Sequence, residues 1–126
     1  VNSITLKFAS TMTESNITIN VQLAATKIPQ QIKWNASGTS SESHQPSKAM
    51  VLALWDDVEK TAMRIDLWTK DMMMDEMADF YYQIFVTMAD TFKRATQHSE
   101  IAEDIRLFAN DFHKKYLEKE SEKKNG

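Results

Sequence analysis

The hydrophobic residues of this chain change their spacing once, and that change limits the folds open to it. In the first half, apolar residues alternate with polar ones, beginning with Ile17, Ile19, Val21 and Leu23. A period of two with β-branched side chains predicts a half-buried β-strand. From Met77 onward the apolar residues recur every three or four positions, which predicts amphipathic helices. The chain is therefore expected to place its strands before its helices, an order typical of the α+β class.

A second strand and a long loop are predicted to follow the first strand. Ile28, Ile32 and Trp34 continue the even spacing, and Pro29 is expected at the start of this strand or on an edge because it lacks an amide proton. The Ser-rich stretch "NASGTSSESHQPSK" then predicts a loop that is long enough for mobility or a binding role.

The next two strands are predicted to form a hairpin. The nearly continuous apolar run "AMVLALWDD" is typical of a central strand covered on both faces, although periodicity alone does not separate it from a buried helix. After the polar "DDVEK", Met63, Ile65 and Leu67 alternate with polar residues. Because the connection is short, the two strands are expected to be antiparallel.

Two helices complete the prediction. The first is expected to be capped by Asp71 or Asp75, and the second to begin near Ser99. The apolar stripe of the first comprises Met77, Phe80, Tyr81, Ile84, Phe85, Met88, Phe92 and Ala95, and that of the second comprises Ile101, Ile105, Phe108, Phe112 and Tyr116. The predicted architecture is a four-stranded antiparallel sheet followed by two packed antiparallel α-helices.

The chain is predicted to hold one domain, over residues 16–117. Residues 1–15 are interpreted as an N-terminal extension that includes Met12, where such a chain would naturally start. Residues 118–126, "EKESEKKNG", form a tail that carries both charges and no apolar residue.

Composition excludes several classes of function. The chain has no cysteine, which excludes disulfides, cysteine-ligated metals and a cysteine nucleophile. Its two glycines, Gly38 and Gly126, cannot build a glycine-rich phosphate loop. The net charge of −3 gives no general affinity for nucleic acid. No stretch approaches the ~18 apolar residues of a membrane span. We therefore expect no bound cofactor, no nucleic-acid partner and no membrane span.

No catalytic or metal-ligating residues are predicted. His44, His98 and His113 lack the spacing of metal ligands and are interpreted as ordinary polar residues. Asp56 and Asp57 could hold a cation or act as acid and base, but a hairpin turn also favours aspartate, and we prefer the turn. One hypothesis that stays open is an enzyme that uses these His and Asp side chains with a metal or small ligand.

A candidate partner-binding surface lies between the last strand and the first helix. Three consecutive methionines beside Trp68 cannot all face one core, so at least one should be partly exposed. Flexible thioethers next to an aromatic ring suit an adaptable contact, although the methionines could simply seal the junction. We call residues 68–74 the contact segment: Trp68, Thr69, Lys70, Asp71, Met72, Met73 and Met74.

Several segments resemble the GldC family of gliding-motility-associated proteins. They are "VQLAATKIPQQIKWNA" at residues 21–36, "KAMVLALWD" at 48–56, "MRIDLWTKDM" at 63–72 and "MADTFKRAT" at 88–96. The chain departs from the family pattern at Met73, where a proline is usual, and at Tyr81 and Tyr82, where an aromatic–His pair is common. The loop at residues 37–47 also lacks an Asp-Gly-Gly turn.

This resemblance implies a non-enzymatic cytoplasmic accessory protein of bacterial gliding motility. Such a protein would act by contact with proteins of a gliding or secretion machinery, and no catalytic activity or cofactor is attached to the family. Whether it also forms a homo-oligomer stays open. The alternative is an oligomeric chaperone-like protein-binding module, because strands followed by two helices is also the element order of the SecB-type export chaperone.

Overall fold

The computed structural model of the protein describes residues 13–37 and 44–125. These residues fall into two units, a strand unit up to Asp71 and a helix unit from Met72. The elements are β1 (Ile17–Leu23), β2 (Pro29–Ala36), β3 (Gln45–Ser47), β4 (Ala49–Asp56), β5 (Thr61–Trp68), α1 (Met74–Thr96) and α2 (Ser99–Asn125). All strands precede both helices, which confirms the α+β class.

The strands form two small antiparallel sheets instead of the single four-stranded sheet that the sequence predicted. One sheet has the order β1-β2-β3 and the other is the β4–β5 hairpin. The additional strand, β3, lies within the predicted loop, and a bend at Lys48 separates it from β4. Because the backbone changes direction there, β3 pairs with β2 and β4 pairs with β5. Residues 38–43 of that loop lie outside the described residues.

β2 is the central strand of the three-stranded sheet and carries its most buried side chain. It begins at Pro29, as predicted, so the missing amide proton falls at the strand's first residue. Ile32 pairs with Val21 of β1 and Ser47 of β3 and is only 1% exposed. Among the described residues it is the largest fully buried side chain. Burial at this one position therefore anchors the sheet.

The turn between β4 and β5 confirms the structural interpretation of its two aspartates. The Asp56 carboxylate accepts hydrogen bonds from the backbone N–H groups of Val58 and Glu59, both at 2.9 Å. Asp57 forms a 2.9 Å ion pair with Lys60, whose φ of 55° lies in the left-handed region. Aspartate thus acts here through backbone and local contacts, as hairpin turns favour.

The two helices pack antiparallel along a line of alanines. Ala78 and Ala89 of α1 and Ala102 and Ala109 of α2 are all buried. The Phe85 ring contacts the rings of Phe108 and Phe112 edge-on, at centroid distances of 5.4 and 5.3 Å. The pair of packed helices that the sequence predicted is confirmed.

The buried line of each helix differs from the stripe of large residues that the sequence predicted. Met88, Ile101 and Phe108 belong to the predicted stripes, yet each is exposed. Alanine lets two helix axes approach closely, so the line of closest contact follows the small side chains. The larger residues then lie beside that line and stay partly open to solvent.

The ends of α1 also differ from prediction in one respect. The residue preceding the helix is Met73, and its N–H donates to the Glu76 side chain at 3.1 Å, so neither Asp71 nor Asp75 is the cap. The residue that follows the helix is Gln97, which has a φ of 65° and donates its N–H to the Lys93 carbonyl. α2 begins at Ser99 itself.

Candidate protein-contact surfaces

The first half of the contact segment closes the β4–β5 hairpin. Trp68, the last residue of β5, is 57% exposed. Thr69 is buried, and its N–H donates to the Lys48 carbonyl at 2.8 Å. Lys70 and Asp71 are exposed. The anchored Thr69 backbone therefore holds an exposed indole on one side and exposed charged residues on the other.

The second half of the contact segment begins the helix unit. Met72 is half-buried, whereas Met73 and Met74 are each 64% exposed. The expectation that at least one of the three methionines is exposed is confirmed. Met74 also borders a shallow groove of the helix unit, lined by Met77, Ala78, Tyr81, Phe112 and Tyr116. These thioethers are available to a binding partner at the start of α1.

The β4–β5 hairpin carries a second apolar surface, which the sequence did not predict. The register places six apolar side chains on one side, and we call this surface the ribbon face: Met50, Leu52, Leu54, Met63, Ile65 and Leu67. Leu54, Met63 and Ile65 each expose more than half of their surface. A contiguous exposed apolar surface is typical of a contact site.

The expectation that the apolar run of β4 is covered on both faces is wrong for its second half. Leu54 and Trp55 lie on opposite faces of the strand, and both are exposed. Within the described residues, β4 belongs to a sheet of two strands. The continuous run identified the strand but not its exposure.

Polar contacts between α1 and α2 fix how the two helices are aligned along each other. The Tyr116 hydroxyl donates to Asp75 at 2.8 Å, and the Tyr82 hydroxyl donates to Asn110 at 3.1 Å. Two further side-chain contacts join the same helices, one between Asp79 and His113 at 3.5 Å and an ion pair between Asp90 and Arg106. His113 thus contacts a carboxylate of the opposite helix.

The tyrosine contact predicts a stability change at alkaline pH. The hydrogen bond from Tyr116 to Asp75 is the main cause that raises the pKa of Tyr116 to about 12. An unfolded tyrosine titrates near pH ~10, so this contact stabilises the fold fully below that pH and loses its effect as pH rises through about 12. Tyr116→Phe should show a smaller loss of unfolding free energy over this window than the unsubstituted protein. Urea unfolding at a series of alkaline pH values measures the difference.

Tyr81→Phe is the matched control for that prediction, because it removes a hydroxyl from the same unit and leaves the Asp75 contact in place. Its alkaline decline should follow that of the unsubstituted protein. An unchanged decline in Tyr116→Phe would show that the Asp75 hydrogen bond does not contribute.

Histidine, aspartate and glutamate side chains are the possible metal ligands of this cysteine-free chain. His44 and His98 are exposed, and His98 lies between the two helices. In the part of the chain that the structure describes, no three His, Asp or Glu side chains are grouped closely enough to hold a metal ion. None of the helices described there has the length and apolar character needed to cross a membrane.

A comparison with protein families identifies the chain. The family model for gliding motility-associated GldC-like proteins matches residues 29–118, well over half of the sequence. The chain belongs to the GldC-like family. This family is associated with gliding motility and is not a known enzyme family. No curated protein and no solved structure gives a significant match to this GldC-like protein.

Proposed function

We propose that this GldC-like protein is a non-enzymatic accessory component of gliding motility that binds another protein through the contact segment. Family membership supports the role in motility. The observation that supports binding is the exposure of Trp68, Met73 and Met74, three large apolar side chains within seven residues. Single exposed apolar residues are common, whereas these three side chains lie within one short segment and could contact a partner together.

The chemistry of these side chains suits protein recognition. Tryptophan is enriched among residues that dominate binding energy, and an aromatic side chain covers about 150–250 Å² when buried. Methionine adapts its shape to a partner because its chain is unbranched and flexible. The exposed Lys70 and Asp71 supply the polar surround that contact sites usually have.

Affinity purification from the native cell tests this proposal. Trp68→Gln combined with Met73→Gln should reduce recovery of the partner, identified by mass spectrometry, by about tenfold or more, because each loses an apolar anchor. Trp55→Gln is the matched control, since Trp55 is an exposed tryptophan of the same hairpin outside the contact segment. Undiminished recovery by the double variant, or an equal loss in the control, would contradict the proposed surface.

We place this activity in the cytoplasm. The absence of cysteine gives no support for an oxidising compartment. Cell fractionation with an antibody against the protein measures this directly, and recovery in the periplasmic or extracellular fraction would contradict it.

A chaperone-like function is the second candidate, and the exposed ribbon face favours it. Apolar surface of this kind could hold an unfolded client chain. The expected behaviour is a stable tetramer in light scattering that suppresses aggregation of a denatured test protein. A smaller species without that effect would leave the accessory role as the better account.

A further inference from the structure

The outer edge of β5 has no neighbouring strand in the part of the chain that the structure describes. β5 pairs with β4 alone in its sheet. The Thr69 N–H donates to the Lys48 carbonyl, which identifies this pair as hydrogen-bonded. Because such pairs alternate along an antiparallel ladder, the backbone groups of Ala62, Arg64, Asp66 and Trp68 point away from β4. This edge can therefore accept another strand.

We propose that β5 pairs antiparallel with β5 of a second copy of this chain, about a two-fold axis at Ile65. In this register Ile65 faces Ile65 of the second copy, and Arg64 faces its Asp66. The outward-pointing backbone groups of Arg64 and Asp66 then form the hydrogen-bonded pairs, as the alternation requires. A two-fold contact of this kind uses the same surface on both chains, so the assembly stops at two copies.

The charges of Arg64 and Asp66 favour a second copy of β5 as the neighbouring strand, and they also favour one pairing register. The proposed register creates two Arg64–Asp66 pairs between the chains, adding to the 3.1 Å ion pair that these residues form within one chain. A shift by two positions sets Arg64 against Arg64, or Asp66 against Asp66, and like charges directly opposite each other are destabilising. By contrast, β1, another strand with one described neighbour, contains no charged residue that could select a register.

The pairing also extends the apolar surface of the hairpin. A two-stranded ribbon is marginally stable by itself, and three or more strands with an apolar face are needed for independent stability. The order β4-β5-β5-β4 places the two ribbon faces side by side, with Met63 of one chain opposite Leu67 of the other. Strand pairing uses the backbone of β5, so this inference does not depend on the proposed partner surface.

Charge substitutions with a mixing experiment test the register. The full chain should sediment as a dimer in analytical ultracentrifugation. Arg64→Asp and Asp66→Arg should each weaken the dimer by about tenfold or more, because both cross-strand pairs become like-charged. An equimolar mixture of the two variants should recover the dimer, since one chain then carries two acidic and the other two basic residues at these positions.

Disulfide trapping tests the axis independently, in a chain that has no cysteine of its own. Ile65→Cys should form a disulfide-linked dimer on oxidation, since residues in a non-hydrogen-bonded pair lie about 4.5 Å apart between Cα atoms. Met63→Cys on the same face is the control, because the two copies of residue 63 would lie four positions apart along the strands, roughly 13 Å, and should not link.

Three results would overturn the proposal. One is a monomeric full chain at about 100 μM, a concentration at which a dimer of even modest affinity forms. The edge of β5 would then be available only to a strand of another protein. The second is an equimolar mixture that stays monomeric. The third is equal cross-linking at positions 63 and 65.

Discussion

Ile32→Ala is expected to destabilise the strand unit by about 2–5 kcal/mol, the range for removing a large aliphatic side chain from a closed site. Ile32 lies on the central strand of its sheet and is only 1% exposed, so its loss leaves a cavity as well as removing apolar burial. Because total stabilities are about 5–15 kcal/mol, a change of this size removes a large part of the total. Denaturant unfolding, followed by tryptophan fluorescence and circular dichroism, measures it.

The matched control for this prediction is Ile17→Ala. Ile17 lies on β1 of the same sheet but is 73% exposed, so removing its side chain forms no cavity. Its substitution should change the unfolding free energy by less than about 0.5–1 kcal/mol. A similar loss in both variants would mean that burial of Ile32 does not anchor the sheet.

Ala89→Leu should destabilise the helix unit by about 1–3 kcal/mol or more, because the larger side chain has no space between the helices. Ala89 is fully buried on the alanine line of α1. The three added carbon atoms would push the helices apart and strain the contacts between Phe85 and α2. The helical signal at 222 nm during thermal and denaturant unfolding reports the change.

Ala95→Leu provides the comparison within the same helix. Ala95 is exposed, although the spacing of apolar residues assigned it to the buried stripe of α1. Leucine and alanine are both good helix formers, so this substitution should alter stability by less than about 0.5 kcal/mol. Greater destabilisation by Ala95→Leu than by Ala89→Leu would mean that the large apolar residues, and not the alanines, form the helix contact.

Elements governed by local contacts could be predicted from the sequence. Alternation identified the strand that contains Ile19 and the one that contains Ile65, and Asp56 marked the hairpin turn. The three- and four-residue spacing identified both helices. Each of these features depends on residues only a few positions apart, so the necessary information is continuous in the chain.

The candidate site was predictable in part. Three consecutive methionines implied exposure without any knowledge of the fold, because one helix start cannot bury all three. The ribbon face was different, since the alternation of Met63 and Ile65 predicted that they share a face but not that the face would be open. Thr69 is the opposite case. The sequence placed this polar residue in the contact segment, whereas the structure buries it at the end of the hairpin.

The sequence by itself determined the order of strands and helices, the position of the β4–β5 turn and the membership of the GldC-like family. Only the tertiary structure decided that Lys48 bends one strand region into two, that alanines form the helix contact, and that Leu54 and Ile65 stay exposed. The reason is physical. Backbone periodicity is set by neighbouring residues, whereas burial depends on which distant part of the chain lies opposite a side chain.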